Sequence, residues 1–375
     1  MKKPAALVAS LALVPLAAGA SVAENWERHV VAEGFNCQTA VAADFTGDGL
    51  VDVIADAQGE TRLFIAPDWK AVTLDRGHDT IHSEVLDVDG DGDPDYLGAV
   101  YSPGPIFWLE RPFRPEQDEW PFHLIDEDVD GTHGLIVADV DGDGKPDLAG
   151  NSAQPKEPYP NSLVWWKVPP EPRRALMWIR HVFAKLDAPG LSHYLGVGDM
   201  NNDGVADIAS AGKDAPEGNW FAWWQQPPDG SMPWKKHLIA ENQHGATNIL
   251  PADVNGDSHP DFIASRGHGQ GVLWMEGPDF RIHEINPDLV GPHNLAVGDI
   301  DGDGDVDAVT AAKDSFVVAW FENDGKGSFT TRPIYDDQAG YDIRLVDMDG
   351  DGDPDVLVAG QNSENVVWYE NKLAR

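Results

Sequence analysis

The sequence predicts an all-β chain: a seven-bladed β-propeller with four-stranded blades, closed by an N-terminal strand that completes the last blade. Three observations predict it. A loop of spaced acids recurs seven times, beginning at Asp44, Asp87, Asp139, Asp199, Asp253, Asp299 and Asp347. Successive copies lie 43 to 60 residues apart, which is the length of a propeller blade. Around each loop, short runs of β-branched and aromatic residues alternate with Gly, Pro, Asn and Asp turns, and no segment keeps the apolar period of about 3.6 residues that a helix needs.

In chain order, residues 1–23 read as an export signal. Lys2 and Lys3 give a basic start, Ala5 to Ala18 an apolar run, and Ala18-Gly19-Ala20 or Ser21-Val22-Ala23 a small-x-small cleavage pattern. The run is short for a membrane span, and no later stretch is long and apolar enough to serve as one. The expectation is a soluble chain without a membrane anchor, exported to the periplasm or the medium, with a single domain at 24–375.

Each repeat then supplies four strands. The strand before an acidic loop is the innermost, and an apolar run such as Val356-Leu357-Val358 follows it. A third, aromatic segment carries Trp108, Trp165, Trp223, Trp274, Trp320 or Trp368. A fourth begins at Trp69, Trp120, Trp178, Trp234, Phe280 or Phe329, and Trp26 marks its N-terminal counterpart. Asn25 to Val31 therefore looks like a fourth strand standing before the first loop, while the seventh unit ends after its third, at Tyr369 to Asn371. Joining the two closes the ring, whereas a solenoid would show polar caps.

Composition limits function before any site is chosen. With 375 residues and 42% hydrophobic content the chain can bury a sizeable core. Its formal net charge of -38 argues against nucleic acid as a partner, because phosphate binding needs a basic footprint. A single cysteine, Cys37, excludes an internal disulfide framework and multi-cysteine metal sites.

The acidic loops have calcium chemistry. Calcium takes six to eight hard oxygens, and alternate acids in a tight turn present them from one side. Positions one, three, five and nine supply carboxylates, the seventh residue a backbone carbonyl, and glycines permit the sharp turn. The candidate ligands are Asp44, Asp48 and Asp52; Asp87, Asp89, Asp91 and Asp95; and Asp139, Asp141, Asp143 and Asp147. In the later copies they are Asp199, Asn201, Asp203 and Asp207; Asp253, Asn255, Asp257 and Asp261; Asp299, Asp301, Asp303 and Asp307; and Asp347, Asp349, Asp351 and Asp355. Thr46, Asn201 and Asn255 replace an acid at the third position, so those loops should bind more weakly. Such loops, with Asp347-Met348-Asp349-Gly350-Asp351-Gly352-Asp353-Pro354-Asp355 as representative, resemble those of the FG-GAP/VCBS repeat family across the mature chain. That resemblance implies an integrin α-like seven-bladed propeller with structural calcium in its hairpin loops. It does not fix a function.

Strand direction assigns a second set of residues to the opposite end. Six residues before the first loop acid stand His133, His193 and His293, with His82 and Asp342 displaced by one residue and Gln38 and Thr247 at the remaining places. The loops between second and third strands bring Tyr101, Asn151, Lys213, Arg266, His268, Lys313 and Gln361 to the same end. Two or three of His82, His133, His193 and His293, with Asp342 or water, could complete a site for zinc or another divalent ion. Without metal, the cluster makes a polar pocket for an anionic or polyhydroxylated ligand. The outer histidines His29, His123, His181, His237 and His283, each three residues after an aromatic, read as structural.

Two functions follow. One is a carbohydrate lyase or dehydratase acting by β-elimination, with a channel histidine or Tyr101 as base and a channel metal, Lys213, Arg266 or Lys313 holding the developing oxyanion. A weaker resemblance to the propeller part of aldos-2-ulose dehydratase points the same way, with no residue matched. The alternative is a non-catalytic propeller that binds glycan or protein and is stiffened by calcium.

Overall fold

The computed structural model describes residues 21–373; most of the expected export segment, residues 1–20, lies outside them. Residues 21–23 run along the last strand of the sixth blade, where Val22 bridges Tyr335 and the Ala23 amide donates to the Ile334 carbonyl.

Seven four-stranded antiparallel sheets form the ring. The innermost strands are Ala40–Ala43, Thr80–Leu86, Leu135–Ala138, Ser192–Gly198, Asn248–Ala252, Pro292–Gly298 and Asp342–Val346. Each enters an acidic loop and returns as a second strand that begins at the ninth loop residue, as at Asp95, Asp207 and Asp355. The seventh sheet is completed from the other terminus: Trp26–Glu33 pairs antiparallel with Asn365–Asn371, with Trp26 opposite Asn371 and His29 opposite Trp368. Closure by the N-terminal strand is as the sequence predicts.

Burial explains the strand patterns. Second strands such as Asp307–Ala312 are buried along their whole length because a neighbouring blade covers each face. Fourth strands such as Lys70–Arg76 alternate and stay half in water. Seven apolar clusters result, one between each pair of successive blades. Burying each Leu or Phe in them contributes roughly 1.5–3 kcal/mol. The third-strand tryptophans belong to these clusters, so they pack blades together.

The outer histidines are structural in a specific way. Each ring stacks on the tryptophan opposite it: His29 on Trp368, His123 on Trp108, His181 on Trp165, His237 on Trp223 and His283 on Trp274, with centroids 4.0–4.4 Å apart. Three of them also bond a glutamate in or just after the third strand: His29 to Glu370, His123 to Glu110 and His283 to Glu276.

Candidate functional site

At the acidic end, each loop folds over its own carboxylates. In the second blade, both Asp87 oxygens accept loop amides, from Gly90, Asp91 and Gly92. Gly90 and Gly92 have φ of +77° and +96°, the left-handed region that glycine enters freely. Where the pattern departs from glycine, Asn202 and Ser258 hold φ of +60° and +67° at the same places. The ninth acid also joins strands: Asp95 accepts the Val88 amide with one oxygen and the Arg111 amide with the other. Asp207, Asp261, Asp307 and Asp355 repeat this pair of bonds.

The donor set fits calcium. Ligand oxygens of Asp87, Asp89 and Asp95, of Asp139, Asp141 and Asp147, and of Asp299, Asp301 and Asp303 gather within 4.8 Å of one another. Buried Asp139 Oδ1, Asp89 Oδ2 and Thr46 Oγ1 have no hydrogen-bond partner, although Arg173 forms an ion pair with Asp89. An oxygen that accepts one amide keeps a second lone pair for a cation. Two loops already hold basic side chains: Arg173 reaches Asp89 and Asp91, and Lys167 reaches Asp141 and Asp143.

At the other end the channel is layered. The residues six before the loop acid, His133, His193, His293 and Tyr341, form a cap. All four are buried, the three histidines at 4%, 1% and 0% exposure, so the imidazoles fill the channel instead of lining an open mouth. The His133 and His193 ring centroids lie 3.5 Å apart, and His193 Nε2 is 3.2 Å from His293 Nε2. His268, from a second-to-third-strand loop, covers the cap from solvent and brings its own Nε2 within 3.2 Å of His293 Nε2. Burial pushes all three cap imidazoles well below the usual histidine range, and neighbouring imidazoles add to the effect. Burial, with Lys213 and Lys313 nearby, takes His268 down to about 4.

One residue further along the inner strands lies a second layer: Thr39, His82, Tyr194, Asn248, Asn294 and Asp342. His82 and Asp342, expected beside the other histidines, belong here, because a one-residue offset on a strand changes where a side chain points. His82 Nδ1 accepts the Leu135 amide at 3.0 Å, and its Nε2 faces Arg344. Asp342 bonds Thr39 and Asn294, so its oxygens are not turned to the cap. Arg344 pairs with Glu84 at 2.8 Å and with Asp342. Below this layer the channel widens into a cavity of about 420 Å³ that becomes apolar at Leu250, Leu345 and Val346.

The remaining candidates surround the cap with their polar atoms engaged. Tyr101 Oη accepts from Gln154, while its ring meets His133 edge-on. Arg266 donates to Gln243 and Glu284, and so does not present a free guanidinium for an oxyanion. Lys213 and Lys313 pair with the next residues, Asp214 and Asp314. Asn151 is a backbone clamp on His133 and His193. His78 stands apart, stacked on Phe122. A shallow basin of about 540 Å³ opens at this end, lined by Asn242, His244, Arg266, His268, Gln270 and Asp314.

Residues that sequence reasoning passed over are Tyr341, Tyr194 and the Glu84–Arg344 pair. Tyr341 did carry a signal: it stands six residues before Asp347, in the register of the three cap histidines.

The FG-GAP-like repeat profile matches residues 87–150, 199–264, 253–310 and 299–358. A T-cell immunomodulatory protein homolog of Plasmodium falciparum (isolate 3D7) is 28% identical over 138 residues, 32% of this chain and 19% of that protein. The match thus spans about a fifth of the relative's length. Among solved structures, an Agrocybe aegerita lectin that recognises non-reducing terminal N-acetylglucosamine superposes with a TM-score of 0.55 at 17% identity, covering 91% of this chain and 87% of its own. BBS1N, solved in complex with ARL6DN, gives 0.59 at 10% identity, with 92% and 94% covered. These likenesses concern the fold. No helix among the described residues is long and apolar enough to cross a membrane.

Proposed function

The chain belongs to the FG-GAP-like repeat family, and on that premise we propose that it is an exported, calcium-braced propeller that binds carbohydrate in the basin at its histidine end. The observation that carries this reading is the basin's lining: Asn242, His244, Arg266, His268, Gln270 and Asp314 are planar polar groups set side by side. Such groups match the paired hydroxyls of a sugar. The lectin likeness supports a propeller of this shape as a glycan receptor. Calcium would be held by the carboxylates of the seven acidic loops, where it supplies charge neutralisation and stiffens the turns.

A second reading, β-elimination from a sugar acid or keto-sugar, draws on one pair. His133 Nε2 and Tyr341 Oη lie 2.9 Å apart. A tyrosine coupled to a neutral imidazole can pass a proton to and from a substrate carbon or leaving oxygen. Tyr341 is only 9% exposed, so this use requires the ligand to press on the cap.

Calorimetric titration of the calcium-loaded chain with acidic polysaccharides and N-acetylglucosamine-terminated glycans tests the first reading. We expect binding that weakens at least tenfold in His244→Ala and in Asn242→Gly, exposed positions where the melting temperature should stay unchanged; glycine is chosen at Asn242 because its φ is +60°. Absence of binding, or binding indifferent to both changes, would overturn it. A rise in ultraviolet absorbance with the same saccharides would select elimination.

A further inference from the structure

We infer that the cap holds one tetrahedrally coordinated transition-metal ion of the zinc or cobalt type, ligated by Nε2 of His193, His268 and His293. The fourth position falls to His133 or to an outside ligand. The inference concerns the cap's own chemistry and does not depend on what the basin binds.

The argument begins with one hydrogen bond. His293 Nδ1 lies 2.9 Å from the Tyr341 carbonyl oxygen. A carbonyl only accepts, so Nδ1 carries the proton and Nε2 keeps its lone pair. A metal-bound histidine is oriented in the same manner, with its far nitrogen donating to a carbonyl or carboxylate. That lone pair faces two other Nε2 atoms, those of His193 and His268, each at 3.2 Å. Protons account for one such contact, because a single lone pair accepts one well-aligned N–H. They do not account for both.

A shared cation accounts for the whole arrangement. With metal–nitrogen bonds of about 2.0–2.1 Å, the edge of a tetrahedron is roughly 3.3–3.4 Å. Both observed separations are close to that edge. His133 adds a fourth nitrogen: it offers a ligand atom within 4.8 Å of those of His193 and His293, and its buried Nδ1 has no hydrogen-bond partner. The nearest carboxylate of the layer below, Asp342, is engaged by Thr39 and Asn294. The donors are therefore imidazoles alone, a set that suits zinc, cobalt, nickel or copper and not calcium or magnesium. The set also explains four histidines arriving from four separate blades.

His268 is the exposed member of the set, whereas His133, His193 and His293 are buried. Lys213 and Lys313 stand near that side, each paired with the adjacent Asp214 or Asp314.

The experiment uses the full chain, stripped of transition metals by a chelator and reloaded with calcium, with cobalt(II) as the probe. Expected are one cobalt per chain and intense visible bands of tetrahedral cobalt. His293→Gln and His193→Gln should abolish the bands. His268→Ala, at an exposed position that leaves folding intact, should weaken cobalt binding at least tenfold. His237→Gln, on the outer rim, should change nothing. Lack of a stoichiometric band, or a cobalt affinity that His268→Ala leaves unchanged, would overturn the assignment even if the buried variants fail to fold.

Discussion

The two ends of the propeller are built from opposite materials by opposite means. The acidic end repeats one nine-residue loop, and every carboxylate in a copy comes from neighbouring residues, as in Asp87 to Asp95. The histidine end assembles His133, His193, His268 and His293 from four blades, with as many as 160 positions between the first and last. One end gathers oxygens and the other nitrogens, so each suits a different class of cation. The comparison teaches that a repeated local motif braces the ring seven times over, while a unique site forms only where the closed ring lets unlike copies meet.

Removing the cation from the acidic end should have the largest effect. A ligand at a hundredfold excess over its Kd contributes about 2.7 kcal/mol per site, and 1 kcal/mol moves Tm by about 2–4 °C in domains of roughly 150–250 residues and by less in a longer one. Chelating calcium from several loops should therefore lower Tm by more than about 10 °C in scanning calorimetry. An unchanged Tm would remove calcium from the account of stability.

A smaller effect separates the ends by pH. His82 is buried beside Arg344, and burial holds its imidazole well below the usual range. Below a pH of about 6.5 the unfolded chain takes up a proton here that the folded chain refuses. Stability from this group is thus present at neutral pH and lost as pH falls through 6.5. Denaturant unfolding should give a slope shallower in His82→Gln by up to about 1.4 kcal/mol per pH unit between roughly pH 6 and 5. Superimposable slopes would show that His82 is protonated in the folded state.

The smallest effect distinguishes loops within the acidic end. Lys167 sits on Asp141 and Asp143 at 39% side-chain exposure. Lys167→Ala should alter stability in saturating calcium by less than about 1 kcal/mol. It should also lower the calcium concentration needed to reach the full Tm, since a competing cation is gone. A raised calcium requirement would contradict that competition.

Legibility followed the same division. Loop positions, strand count and closure through Asn25 to Val31 were readable because each depends on residues close in sequence or on the number of repeats. The cap was half readable. His133, His193 and His293 share one register, so the sequence could bring them together, yet it could not say that they would fill the channel. His82 and Asp342 stand one residue out of register and went to a deeper layer. His268 was visible only as one of several loop residues. Arg344 and Glu84 had no signal at all, because their pairing occurs across the channel between the second and seventh blades and has no counterpart among the other described repeats.

The most direct test of this two-ended account is an anomalous-difference map from crystals of the full chain grown in calcium and soaked in zinc. The account predicts a single strong zinc peak on the axis, bounded by His193, His268 and His293, with calcium retained in the acidic loops. Zinc confined to those loops, with no density among the imidazoles, would contradict it.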